Sequence, residues 1–182
     1  MPLKKWNKIS ESTFKQNAHW SYKIDKFNIN GGNQLEYHYV HTNGSTMVIP
    51  ITSDGKILMV NQYRYLNQME SLEFPCGSVE DGLSFEENAQ KELREETGFS
   101  AAKIIKTGFF APYTGASDEL CTVFIALELT ENPLPADITE DFELYRFSFD
   151  EIRSMIAQRI IWDGLTLAAW SFSQKIILDN YL

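Results

Sequence analysis

The chain has 182 residues, 43% of them hydrophobic, which is enough to bury one sizeable core. Its formal charge of −9 argues against a nucleic-acid partner, because neutralising phosphates needs clustered Lys and Arg. No apolar run approaches the roughly 18–20 residues of a membrane span, and no signal peptide is expected at either end. The two cysteines, Cys76 and Cys121, lack C-x-x-C spacing and suit a reducing, cytoplasmic setting.

Lys4, Lys5 and Lys8 form the basic cluster of the N-terminus and are expected to keep a loose end soluble. Residues 20–29, with Trp20, Tyr22, Ile24 and Phe27 among polar neighbours, read as a strand or hairpin ahead of Gly31-Gly32. Leu35, Tyr37, Tyr39 and His41 alternate with Glu36, His38 and Val40, the pattern of a half-buried strand. Asn43-Gly44 signals a hairpin turn into Thr46–Ile51, and Asp54-Gly55 a turn into Lys56–Tyr63. His19, His38 and His41 have no zinc-ligand spacing and read as solvated or packed side chains.

Ser84 and Glu87 make a capping box that opens a helix over 84–97. Phe85, Ala89 and Leu93 give its buried stripe, and Gly98 stands where a left-handed residue ends it. Pro75-Cys76-Gly77 and Asp81-Gly82 are turn formers, so the loop before the helix can curl toward it. Glu92, Glu95 and Glu96 share one turn of this helix, where like charges repel by roughly 0.2–0.5 kcal/mol per pair. A charge run is more often a solvated face. Clustered carboxylate oxygens are also what a hard divalent cation needs. Beyond the helix, Lys103–Phe110, Leu120–Leu129 and Asp141–Phe147 read as strands. Ser148 with Glu151 caps a helix to about Ile160. Asp163 caps a last helix with Leu165, Ala168, Ala169, Phe172 and Ile176 on its apolar face. Strands and helices interleave around one core, an α/β/α sandwich with a mixed sheet and an N-terminal β segment.

The stretch from Gly77 to Phe99 resembles the Nudix box, G-x5-E-x7-R-E-U-x-E-E-x-G-U, with U a bulky apolar residue. Gly77, Glu92, Leu93, Glu95, Glu96, Gly98 and Phe99 match in register. Leu83 stands where the loop glutamate is expected, and Lys91 where arginine is expected. Lys91 can still pair with Glu95, without a bidentate fork, and Glu80 can stand in for the missing loop acceptor. Gln62-Tyr63-Arg64-Tyr65, Leu72–Gly77 and Gly115–Glu119 are similar to segments of the ADP-ribose pyrophosphatase branch, while Thr114 lies where that branch usually carries a proline. The likeness covers roughly residues 20–178.

That resemblance implies one Nudix hydrolase domain across 1–182, with residues 1–30 as a strand-bearing extension that forms a homodimer. It implies magnesium, or manganese as substitute, held by Glu92, Glu96 and the Cys76 carbonyl, and hydrolysis of a nucleoside diphosphate sugar, ADP-ribose foremost. Glu95 and Lys91 brace the helix, and Gly77 is structural. The catalytic base or additional metal ligand is expected at Glu140, with Glu143 as the other candidate. Arg64 and Glu73 are expected on the substrate, with Trp20 or Tyr22 stacking on the base. Two other readings stay open: a GDP-mannose or other sugar-nucleotide hydrolase, and a non-catalytic nucleotide-binding sensor.

Overall fold

The computed structural model describes residues 3–135 and 141–181. In chain order the elements are β1 (Trp6–Gln16), β2 (Ser21–Ile29), β3 (Leu35–His41), β4 (Ser45–Pro50), β5 (Ile57–Arg64), β6 (Met69–Glu73) and β7 (Cys76–Ser78). Then follow α1 (Phe85–Thr97), β8 (Phe99–Phe110), β9 (Cys121–Glu131), β10 (Glu143–Phe147), α2 (Phe149–Ala157) and α3 (Gly164–Asn180).

The centre is a mixed sheet of order β7-β4-β9-β8, in which β4 and β9 run parallel and the other pairs antiparallel. Every residue of β4 is buried, as a strand covered on both faces requires. Val48, Phe124 and Ala126 face one way and pack with Ala89 and Leu93 of α1. Met47, Ile49, Val123 and Ile125 face the other way, toward Ile152 of α2 and Trp170 and Ile177 of α3. Each such aliphatic or aromatic side chain contributes about 1.5–3 kcal/mol by leaving water. The expected α/β/α sandwich is therefore present. Two antiparallel sheets are attached to it, β10-β5-β6 beneath α2 and α3, and β1-β2-β3 at the N-terminus.

Several local expectations change. The loose N-terminal end is a strand: β1 pairs with β2 from Trp6↔Ile29 to Gln16↔Ser21, and Lys8 bonds Glu11 and Asp25. Asn43-Gly44 is not a hairpin turn. It carries the chain from the N-terminal sheet into the central one, because β4 takes β7 and β9 as neighbours rather than β3. Gly44 has φ 93 and accepts the Val79 N–H on its carbonyl. Asp54-Gly55 does close a tight turn, with Ile51 bridged to Ile57. Cys76–Ser78, expected as loop, is a short strand against β4.

The buried face of α3 is also rotated from the expected one. It runs through Thr166, Ala169, Trp170, Ser173 and Ile177, whereas Phe172 is 43% exposed. The helix is apolar on most of its surface, so hydrophobic spacing alone does not select a side. The hydroxyls do: Thr166 accepts the Phe74 N–H at 3.3 Å and Ser173 bonds Thr107 at 3.0 Å. A buried polar group must be satisfied, and here it is satisfied inward.

Candidate functional site

The site begins with how α1 is held. Ser84 and Glu87 form the reciprocal capping box, and Gly98 closes the helix at φ 78 with its N–H on the Arg94 carbonyl. The Ser84 hydroxyl and amide hold the Glu87 carboxyl below the usual carboxylate range. Ala89 and Leu93 pin one stripe to the sheet. One helical step round from that stripe, Asn88, Glu92 and Glu96 turn toward β7 and are buried, Glu92 at 8% and Glu96 at 7% exposure.

Two buried carboxylates a turn apart require a frame. The Cys76 N–H donates to Glu96 Oε1 at 3.2 Å, so β7 approaches the helix through its backbone. At Gly77 the approach is closer still. A Cβ there would fall 2.2 Å from Glu92 Cδ and 2.3 Å from both its oxygens, so any side chain at this position would displace the Glu92 carboxylate. Asn88 donates to Thr46 Oγ1 at 2.9 Å, reaches Glu92 Oε1 at 3.5 Å, and accepts the Glu80 N–H at 3.1 Å. It thereby ties the loop after β7 to the helix.

Lys91 sits beside this frame, bonded to Glu95 and 3.3 Å from Glu80 Oε1. Partial burial lowers the Lys91 pKa, but the carboxylates of Glu95, Glu92 and Glu80 outweigh it and hold the ammonium well above its ordinary value. The loop acceptor missing at Leu83 is thus supplied by Glu80. Asn43 adds a second tie, donating to the Asp81 carboxylate at 2.8 Å and the Val79 carbonyl at 3.3 Å.

Glu92, Glu95 and Lys91 open onto a cavity of about 560 Å³ that is also lined by Gly77–Asp81, by Asn17–Ser21 and by His41, Thr42 and Asn43. The size suits a ligand of nucleotide dimensions. The N-terminal sheet therefore contributes a wall. Trp20 lines the cavity, whereas Tyr22 lies beside it, bonding His38 at 3.1 Å and contacting the Phe14 ring. Arg64 and Glu73 are brought together rather than toward the cavity: the guanidinium makes a two-pronged bond to a carboxylate that is 1% exposed. That carboxylate raises the Arg64 pKa. The Cys76 thiol bonds that of Cys121, and this bond together with burial pushes it well above the thiol range.

Glu140 lies outside the described residues. Glu143 stands on β10, bonding Asn61 at 3.4 Å and Tyr145 at 2.9 Å, and is not in the cavity wall. Among the described residues no group of three or more His, Cys, Asp or Glu is gathered to hold a metal. Two buried carboxylates, Glu92 against Gly77 and Glu96 against the Cys76 N–H, still present hard oxygen donors of the kind a small divalent cation takes, with waters completing its shell.

Sequence reading missed Asn88 and, apart from Trp20, the wall contributed by the N-terminal sheet. Asn88 carries a readable signal, being a polar residue four before Glu92 on the inner face of the helix. His41 and Asp118, which bond at 2.7 Å, are far apart in the chain, and no local pattern joins them.

The NUDIX domain profile matches residues 41–167. The chain is similar to an ADP-ribose pyrophosphatase of Bacillus subtilis (strain 168), 30% identical over 153 residues and 83% of each chain. It is similar to a GDP-mannose pyrophosphatase of Yersinia enterocolitica, 28% identical over 178 residues and 91% of each chain. A solved ADP compounds hydrolase shares the fold, with a TM-score of 0.85, 18% identity, and coverage of 100% of this chain and 98% of the other.

Proposed function

This chain is a member of the NUDIX family, and from that premise we propose that it hydrolyses the diphosphate bond of a nucleoside diphosphate sugar, ADP-ribose foremost. The products are a nucleoside monophosphate and a sugar phosphate. The observation that carries this reading is the buried Glu92–Glu96 pair, with Glu92 set against the Gly77 backbone and lining a nucleotide-sized cavity.

Glu92, Glu96 and the Cys76 carbonyl hold magnesium, with manganese as a substitute. When bound, the cation supplies neutralising charge to phosphoryl oxygens and a more acidic water. Gly77 gives the carboxylates room, and Glu95, Lys91 and Glu80 keep the helix and loop in register. Glu140 is the base that takes the proton of the attacking water or adds a ligand. Glu143 is the weaker candidate, since Asn61 and Tyr145 engage it. Trp20 stacks on the nucleobase, supported by its position in the cavity wall. Tyr22 has the weaker claim, being held by His38. Arg64, its guanidinium fixed by the buried Glu73 carboxylate, contacts a phosphate or ribose of a substrate that reaches beyond the cavity.

The chain works as a homodimer through the N-terminal sheet, where Trp6, Ile9, Phe14 and Leu35 are exposed. Cytoplasmic residence is consistent with the unpaired cysteines. Among the described residues no helix is long and apolar enough to cross a membrane. A second reading, GDP-mannose as substrate, is favoured by the similarity to GDP-mannose pyrophosphatases and by Thr114 in place of the branch's proline.

Phosphate-release assays over a panel of sugar nucleotides, with and without magnesium, test the proposal. Metal-dependent turnover highest with ADP-ribose is expected. Highest turnover with GDP-mannose selects the second reading, and nucleotide binding without any turnover overturns both.

A further inference from the structure

The end of β3 faces the cavity with an imidazole that the hydrolytic scheme leaves unused. His41 Nδ1 lies 2.7 Å from Asp118 Oδ2, and the other Asp118 oxygen accepts the Thr42 N–H at 3.4 Å. The turn that carries Asp118 is stitched to the same strand. The Val40 N–H donates to the Ala116 carbonyl at 2.8 Å, the Asp118 N–H returns to the Val40 carbonyl at 3.2 Å, and Val40 bridges Ser117. Ser45 then donates to Glu119 at 2.6 Å, fixing the far end of the turn to β4. The carboxylate is therefore placed by backbone, and it in turn fixes the plane of the ring.

An ionised carboxylate only accepts, so Nδ1 carries the proton between them and Nε2 is the ring's remaining polar atom. The charges around the cavity say what that atom is for. Glu80, Asp81, Glu92 and Glu95 line it, and the Lys91 ammonium is already bonded to Glu95 and near Glu80. An anionic ligand entering here needs donors turned toward it, and His41, at the β3 end of the cavity lining, offers Nε2 once Asp118 holds Nδ1.

We propose that His41, oriented by Asp118, is a specificity-determining contact for a phosphate of the substrate in the cavity that Glu92 also lines. This rests on the nucleoside diphosphate sugar reading. A phosphate oxygen at Nε2 requires a proton there, so the contact is one of an imidazolium whose two N–H groups each donate to an anion. Asp118 is a positioning residue, acting through His41.

The test compares wild type with H41A, H41K and D118N, by steady-state rates with ADP-ribose and magnesium and by calorimetry with ADP and magnesium. H41A is expected to raise KM and the ADP Kd about tenfold, the scale of one charge-assisted hydrogen bond, with kcat changed less than about twofold. H41K restores the positive charge and brings both constants back to within about threefold of wild type. D118N falls between. In labelled wild type, the His41 Nε2 nitrogen resonance should move on adding ADP, which a merely structural histidine would not show. Unchanged KM and Kd in H41A, or a loss confined to kcat, overturns the contact while leaving hydrolysis intact. A wild type that binds ADP through His41 yet turns over no sugar nucleotide overturns the hydrolase reading and leaves the contact standing. A wild type that binds no ADP overturns the contact.

Discussion

The central and N-terminal sheets use similar alternating residues but are stabilised by different physics. All of β4 is buried, and its side chains touch α1 on one face and α2 and α3 on the other. All of β1 is exposed, and its sheet is held by the Trp6–Phe27 stack at 4.5 Å and by Lys8, Glu11, Lys23 and Asp25 at its surface. The first region fixes two buried carboxylates in a packed frame, with the Lys91 ammonium beside them. The second lends Trp20 and His41 to the same cavity from a frame that depends on surface contacts. Rigid chemistry and adjustable recognition are thus divided between two layers.

Breaking the rigid side should have the largest effect. Glu92→Gln and Glu96→Gln, made separately, are expected to lower turnover on the order of 10³-fold, since each removes a negative oxygen from the cation's shell. Melting temperatures should stay within a few degrees. Gly77→Ala should follow, with about 100-fold less turnover and a stability loss of about 1–3 kcal/mol, because its methyl would overlap the Glu92 carboxylate. Denaturant unfolding read beside activity checks both numbers.

Breaking the adjustable side should leave the core alone. Trp6→Ala removes the stack on Phe27, worth about 0.5–1.5 kcal/mol beyond its area. Amide exchange in β1 and β2 should speed up several-fold while β4 and β9 do not change. Acid should act in the same order. Glu11 is lowered to about 2, by Lys23 first and Lys8 second. A lowered carboxylate stabilises the fold above its unfolded pKa, near 4.3, and that stabilisation fades as pH falls toward about 2. Between those values β1 and β2 amides should lose protection before those of β4. The smallest effect is expected from Ser84→Ala, which loses one half of the α1 capping box at a cost of about 1 kcal/mol, seen as a lower denaturation midpoint.

The sequence made α1 legible from end to end because its signals are local: a capping box, a four-residue apolar spacing, and a terminal glycine. The Glu92–Glu96 pair could be read for the same reason. Gly77 was recognised by its place in the motif, but its physical reason, a carboxylate in van der Waals overlap with any Cβ, exists only in three dimensions. Strands were expected within residues 1–30, but β1 could not be placed because its residues are all exposed, so alternation carries no burial signal. The inner face of α3 was misjudged because hydroxyl partners on β8 and before β7, not apolar spacing, choose it. His41 and Asp118 stayed unconnected because only the folding of the 115–119 turn onto β3 brings them together.

The central claim is that the paired carboxylates of α1, set against Gly77, hold the divalent ion on which hydrolysis depends. Manganese titration followed by electron paramagnetic resonance, in wild type and in Glu96→Gln, tests it most directly. Wild type is expected to bind the ion, and the variant to bind it at least about tenfold more weakly. Equal binding in the two proteins would contradict the account.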